Sequence, residues 1–164
     1  MKISIPLTLT MIALSSFMAT TTVRAQNPHF LSCGASGVNS DGTLNVSFRI
    51  AGLGSNQSLT VTASADGSAV YACKNNGEHC PNAANKSTVN GPVSAQGTFT
   101  SGQNGQIRGS LTVDPPPNTT LTCPGGQRLV LVSVDYTNVT LSATGAGTCD
   151  TAGTFGANFF PQCP

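Results

Sequence analysis

The sequence holds no tryptophan, one glutamate and two histidines, and its charge is thin, with 7 Lys or Arg against 6 Asp or Glu. Each shortage removes a class of function. Without Trp the core lacks the usual anchor of an antibody-type domain, which leaves other sandwiches open. Nucleic-acid binding needs a basic patch to neutralise phosphates, and the basic residues here are scattered singly. A Ser-His-Asp arrangement needs a histidine oriented by a carboxylate. His29 lies near the N-terminus, and His79 has only its chain neighbour Glu78, which a turn seldom aims at it. Glycoside hydrolysis needs two acids facing across a cleft. Two of the aspartates instead sit in Asp41-Gly42 and Asp66-Gly67, both read as turns, and no D-x-D-x-D run offers a calcium loop. No segment repeats apolar residues at helical spacing, and "PNAANK" would make one helical turn at most. This inventory predicts a protein without catalysis, cofactor or metal.

What is present begins with a leader. "MKISIPLTLTMIALSSFMATTTVRA" has Lys2, then a largely apolar run, then the small residues Val23 and Ala25 before a cut after Ala25. That is the layout of a secretory signal peptide. The run is too short and too interrupted to span a bilayer. Cleavage would leave 139 residues (164 − 25) starting at Gln26, with five basic and six acidic residues. No amphipathic basic helix suggests a membrane surface. The expected location is secreted, periplasmic or at the cell surface, with no membrane span in the mature form. The expected organisation is a signal peptide (1–25), an N-terminal segment (26–43), a β-sandwich domain (44–145) and a Cys-containing tail (146–164).

Strict alternation runs through the middle of the chain. "LNVSFRI" puts Leu44, Val46, Phe48 and Ile50 on one face and Asn45, Ser47 and Arg49 on the other. "SLTVTASA" repeats the scheme with Leu59, Val61, Ala63 and Ala65, and the phase continues through Ala69 and Tyr71 to Cys73. Either that strand is very long or Asp66-Gly67 breaks it. Period-2 patterns of this kind are half-buried strands. "VSAQGTFTSGQNGQIRGSLTV" reads as a hairpin turning at Asn104-Gly105, and Pro115, Pro116 and Pro117 end its second arm. In "RLVLVSVDYTNVTL", Val130, Val132, Val134 and Tyr136 hold one phase, and Val139 and Leu141 hold the other. The slip predicts a bulge near Thr137-Asn138. Arg128 and Asp135 read as gatekeepers against edge pairing. The expected fold is all-β, an antiparallel β-sandwich, immunoglobulin-like in architecture and stapled by disulfides, with a small β-barrel as the alternative.

All six cysteines, Cys33, Cys73, Cys80, Cys123, Cys149 and Cys163, lie beyond the leader. An even count in an exported chain reads as a disulfide framework. "CKNNGEHCP" is the most suggestive stretch. Its cysteines are too far apart for a redox pair or a tight zinc site, so a staple is the reading. Cys73 has two candidate partners, Cys80 and Cys123. Proximity favours Cys73–Cys80, which leaves Cys149–Cys163 and Cys33–Cys123. Such a loop would present Asn75, Asn76, Glu78 and His79 to a protein partner. Sequons begin at Asn45, Asn56, Asn85, Asn118 and Asn138 and would carry glycans only in a eukaryotic host. The tail pair Phe159-Phe160 either packs on the sandwich or docks on a partner.

The run from "SADGSAVYACKNNGEHCPNAANKSTVNGPVSAQGTF" to "VDYTNVTL" resembles a group of small exported, largely bacterial proteins with no assigned activity. The resemblance covers roughly residues 44–141, most of the mature chain, and its most specific parts are "PNAANK", "GPVSAQGTF" and "VDYTNVTL". It implies an exported β-rich domain and carries over no catalytic residue. The functional expectation is a secreted, non-catalytic binding or structural protein acting on an extracellular protein or polysaccharide. A secreted inhibitor or effector presenting the Cys73–Cys80 loop is the second reading, and a small metal-binding protein or enzyme the third.

Overall fold

The computed structural model describes residues 27–75 and 85–160. The expected leader, the loop residues Asn76, Glu78, His79 and Cys80, and the tail residue Cys163 lie outside the described residues. Eight strands follow in order: β1 (His29–Val38), β2 (Leu44–Ala51), β3 (Ser58–Asn75), β4 (Lys86–Thr100), β5 (Ile107–Val113), β6 (Gln127–Ala143), β7 (Gly147–Thr151) and β8 (Phe155–Asn158). Strands β1-β2-β5 form one antiparallel sheet. Strands β4-β3-β6 form the body of the other, with β7 and β8 paired to successive stretches of β6 along its far edge. Both sheets are open, so the fold is a sandwich rather than the alternative barrel. Among the described residues there is no α-helix. β1 comes from the segment expected to precede the sandwich, and β7 and β8 from the expected tail, so the sandwich extends past 44–145 at both ends.

The alternation read from the sequence places the core. Leu44, Val46, Phe48 and Ile50 of β2 face Val61, Ala63 and Ala65 of β3 and Val134, Tyr136 and Leu141 of β6, all buried. The hairpin expected at Asn104-Gly105 needs correction. The turn is there, with Gly105 at φ +68° and its N–H bonded to Gly102 O at 3.0 Å. The arms, however, part: β4 pairs β3 and β5 pairs β2. The cause is buried Ser101, whose hydroxyl donates to Gly54 O at 2.7 Å and accepts from Gln57 N–H at 2.9 Å. These bonds fasten the end of β4 to the β2–β3 connection, and the chain must turn into the other sheet. At this seam the Phe48 and Phe99 rings meet edge to face, 4.9 Å between centroids.

β3 runs unbroken for 18 residues, so Asp66-Gly67 is not a turn. The slip near Thr137-Asn138 is a bulge: Ser64 pairs Thr140 but Asp66 pairs Thr137, and Asn138 carries the extra residue at φ +51°. A second bulge was not legible. Val70 pairs Ser133 while Tyr71 pairs Leu131, which inserts Val132. Val130 and Val132 therefore leave the phase of Val134 and Tyr136. They pack on the outer face with Val70, Ala72 and Phe160, while Leu131 joins the main core.

Strands β3 and β6 are 18 and 17 residues long, against 8 for β2 and 7 for β5. Half of the inner face of β3 and β6 therefore extends beyond the smaller sheet. The β5–β6 crossover covers it. Pro116 lies against Gly67, where an added Cβ would come within 2.8 Å of the Pro116 ring, so only glycine fits there. Tyr71 Oη donates to Pro116 O at 2.7 Å. The Ser87 and Thr120 hydroxyls bond at 2.9 Å.

The β1–β2 turn is the second fastening. Asp41 Oδ1 accepts from Thr43 Oγ1 at 2.7 Å and from Thr43 N–H at 3.0 Å, and these bonds hold its carboxyl below the usual carboxylate range. Gly42, at φ +91°, points its carbonyl at buried Tyr136 Oη, 2.7 Å away. A residue of β6 is thereby bonded across the sandwich to the turn of the opposite sheet. Burial, then the charge of Asp114, pushes the Tyr136 hydroxyl well above the ordinary tyrosine value, and burial raises Tyr71 too. The unfolded chain releases these protons from about pH 10 upward while the folded protein keeps them. Their contribution to stability is complete below about pH 10 and is lost as pH rises beyond it. Tyr136→Phe is expected to cost about 1–2 kcal/mol in urea unfolding at pH 7. It should also make the alkaline decline above about pH 10 shallower. An unchanged midpoint with an unchanged alkaline slope would show that the bond to Gly42 contributes nothing.

Candidate functional site

The cysteines fall where the inner phase puts them. Cys33 of β1 stands opposite Phe48, and Cys149 of β7 opposite Leu141, so both point into the seam between the sheets. They are bonded, with Cα atoms 6.2 Å apart and a sequence separation of 116. Cys73, buried on the inner side of β3, is bonded to Cys123 on the crossover, with Cα atoms 5.4 Å apart and a separation of 50. This corrects the three expected pairings, Cys73–Cys80, Cys149–Cys163 and Cys33–Cys123. The reason is directional. Proximity in sequence favoured Cys80, but the strand phase turns Cys73 inward, where the crossover passes over the overhanging sheet. Of the expected binding loop, Asn75 is the exposed last residue of β3, paired with Gln127.

The sequon asparagines are dispersed. Asn56 is exposed in the β2–β3 connection, its N–H bonded to Ser101 O at 3.2 Å. Asn118 is engaged with the Leu121 backbone through both side-chain atoms. Asn138 donates from Nδ2 to Asp66 Oδ2 at 2.8 Å. Asn45 lies on the outer face of β2 and Asn85 precedes β4, both half-buried. A glycan on Asn118 would displace bonds that order the crossover, so the exposed turn at Asn56 is the position best shaped to carry one.

Two outer faces are left for contact with other molecules. On the larger sheet Asp66, Ser68, Asn90, Pro92, Asp135 and Thr137 line an open depression of about 410 Å³, floored by Gly67 and Gly91. Among the described residues no cluster of three or more His, Cys, Asp or Glu is placed to hold a metal ion. Farther along, Phe160 packs over Val132 and Ala72 with the Lys74 ammonium 4.6 Å from its ring centre. Phe159 N–H donates to Val132 O at 2.8 Å, and its ring joins the main core. The tail pair thus packs on the sandwich. The smaller sheet presents Ser32, Ser47, Arg49, Arg108 and Ser110 outward. His29 is exposed at the edge of that face, its Nδ1 2.9 Å from Asn27 O. The outward phase of both arginines was readable from the alternation. Their adjacency was not, because it depends on β5 pairing with β2.

Among the described residues no helix is long and apolar enough to cross a membrane. Comparison with protein-family models, with curated proteins and with solved structures finds no match.

The framework predicts what a non-reducing digest will yield: peptides linking Cys73 to Cys123 and Cys33 to Cys149. A peptide closed within 73–80 would overturn it. The Cys73→Ser/Cys123→Ser variant frees the crossover and is expected to lose about 2–4 kcal/mol in urea unfolding.

Proposed function

We propose that the protein is exported and works outside the cytoplasm as a non-catalytic binding or structural module, its sandwich a rigid support for two polar faces. The observation that carries this reading is the pair of disulfides, one across the seam of the two sheets and one clamping the crossover. Such bonds persist in oxidising compartments and are rare where glutathione keeps thiols reduced. The signal-peptide layout of residues 1–25 agrees with them. Both outer faces are broad and shallow, which suits contact with an extended extracellular polymer or a protein surface better than enclosure of a small substrate.

The test is expression of the full chain in a bacterial host with an intact export system. Export predicts periplasmic or extracellular material whose intact mass matches a start at Gln26 and which labels with no thiol reagent under denaturing conditions. Cytoplasmic protein of full mass with reactive thiols would overturn the reading. Binding is then read by co-sedimentation of the purified protein with insoluble cell-wall polysaccharide. Retention that survives washing supports a surface role.

A further inference from the structure

The three-stranded sheet places two positive charges side by side. The β2–β5 register sets Arg49 directly opposite Arg108, and the β1–β2 register sets Ser32 opposite Arg49. One row of the outer face therefore reads Ser32, Arg49, Arg108, and the next reads Gly34, Ser47, Ser110. Directly opposed residues of one face have Cβ atoms about 5 Å apart, and like charges in that relation repel. The sheet supplies no acid to relieve them. Asp41 and Asp114 lie beyond the Leu44–Val113 pair, at the other end of the sheet. Asp66, Asp135 and Asp150 belong to strands of the other sheet. The second opposed basic pair, Lys74 and Arg128, is differently placed, since Lys74 is buried beside the Phe160 ring.

The Arg49 side chain also carries an unmet donor. Its Nε is buried and has no hydrogen-bond partner. Buried donors are nearly always satisfied, and an exception calls for a specific explanation. An open groove of about 380 Å³ lies on the same face, lined by Ser32, Gly34, Ser47, Arg49 and Arg108 among others. The space above Gly34 is open, since an added Cβ there would meet nothing within 4 Å.

We infer that the outer face of β1, β2 and β5 is a receptor for an oxyanion, held between the guanidinium groups of Arg49 and Arg108 with the Ser32 hydroxyl completing the cradle, the Ser47 hydroxyl being donated to Gly34 O at 3.2 Å. Guanidinium forks match the planar edge of a sulfate, phosphate or carboxylate, and charge-assisted bonds of this kind are the strong ones. An anion there turns the repulsion of two opposed cations into shared attraction. The source of the oxyanion is either a free inorganic ion or an acidic group repeated along a polysaccharide. The site stands on its own geometry and does not rest on export.

The experiment is an NMR titration of the ¹⁵N-labelled protein with sodium sulfate, against sodium chloride at matched ionic strength. Sulfate is expected to shift the Arg49 Nε–H signal and the amides of Ser32, Ser47 and Arg108 saturably, and chloride is not. Arg108→Gln, a change at an exposed position, should keep the fold and weaken sulfate binding by about tenfold. Gly34→Trp leaves both charges in place and should block the groove, which separates a built site from general attraction to a cation. Identical responses to sulfate and chloride, or a sulfate response that survives both variants, would overturn the inference. A sulfated oligosaccharide that shifts the same signals at lower concentration than free sulfate identifies the polymer as the source. An oligosaccharide that does not, beside saturable sulfate binding, identifies the free ion. Both results uphold the oxyanion site.

Discussion

One sheet of this sandwich is about twice as long as the other, and the rest of the architecture answers that mismatch. Pairing of the 18-residue β3 with the 17-residue β6 leaves an apolar inner surface that β2 and β5 are too short to cover. Apolar surface left facing water is unfavourable at roughly 25 cal/mol per Å². The chain covers it with an extended crossover that has no ladder of its own to hold it. Three prolines limit the conformations open to that segment before folding. The Tyr71 hydroxyl, the contact of Pro116 with Gly67 and the Cys73–Cys123 bond then fix it in place. The Cys33–Cys149 bond does the corresponding work at the opposite seam, between sheets whose facing side chains include several alanines.

Alternation of period 2 made the strands and the main core legible, because each strand carries its own inward face regardless of partner. The bulge at Asn138 was legible for the same reason, since the phase visibly slipped there. The bulge at Val132 was hidden. Val130, Val132, Val134 and Tyr136 look the same in sequence whether they share one face or divide between two, and the division is decided by Ala72 and Phe160 on the far side. Partner choice was also out of reach. The turn at Asn104-Gly105 has the right local chemistry for a hairpin, yet Ser101 fastens the end of β4 to a loop some 45 residues earlier and sends β5 to the other sheet. Everything that depends on partner choice followed it out of view, including the Cys33–Cys149 bond, the choice of Cys123 over Cys80 for Cys73, and the adjacency of Arg49 and Arg108.

The two outer faces differ in chemistry although both are rich in hydroxyls. The middle of the larger sheet presents Asp66 and Asp135, with the Asn138 amide drawn to one of them. The smaller sheet presents two opposed guanidinium groups. A chain with so few charges has little reason to place like charges in direct cross-strand register for stability alone, where they are unfavourable. Such placement is familiar from interaction surfaces, where local stability is given up for complementarity.

Among the described residues β4 is the outermost strand of the larger sheet along 15 residues, and most of its outward side chains are small and polar. A bare strand of that length is a template on which another molecule's strand can add, and such addition is how many β-proteins begin to aggregate. Pro92 sits near its midpoint and has no N–H to offer. A second chain approaching β4 would find the ladder interrupted there, with six residues of the 15-residue strand before the proline and eight after it. That one ring favours separate molecules over fibrils.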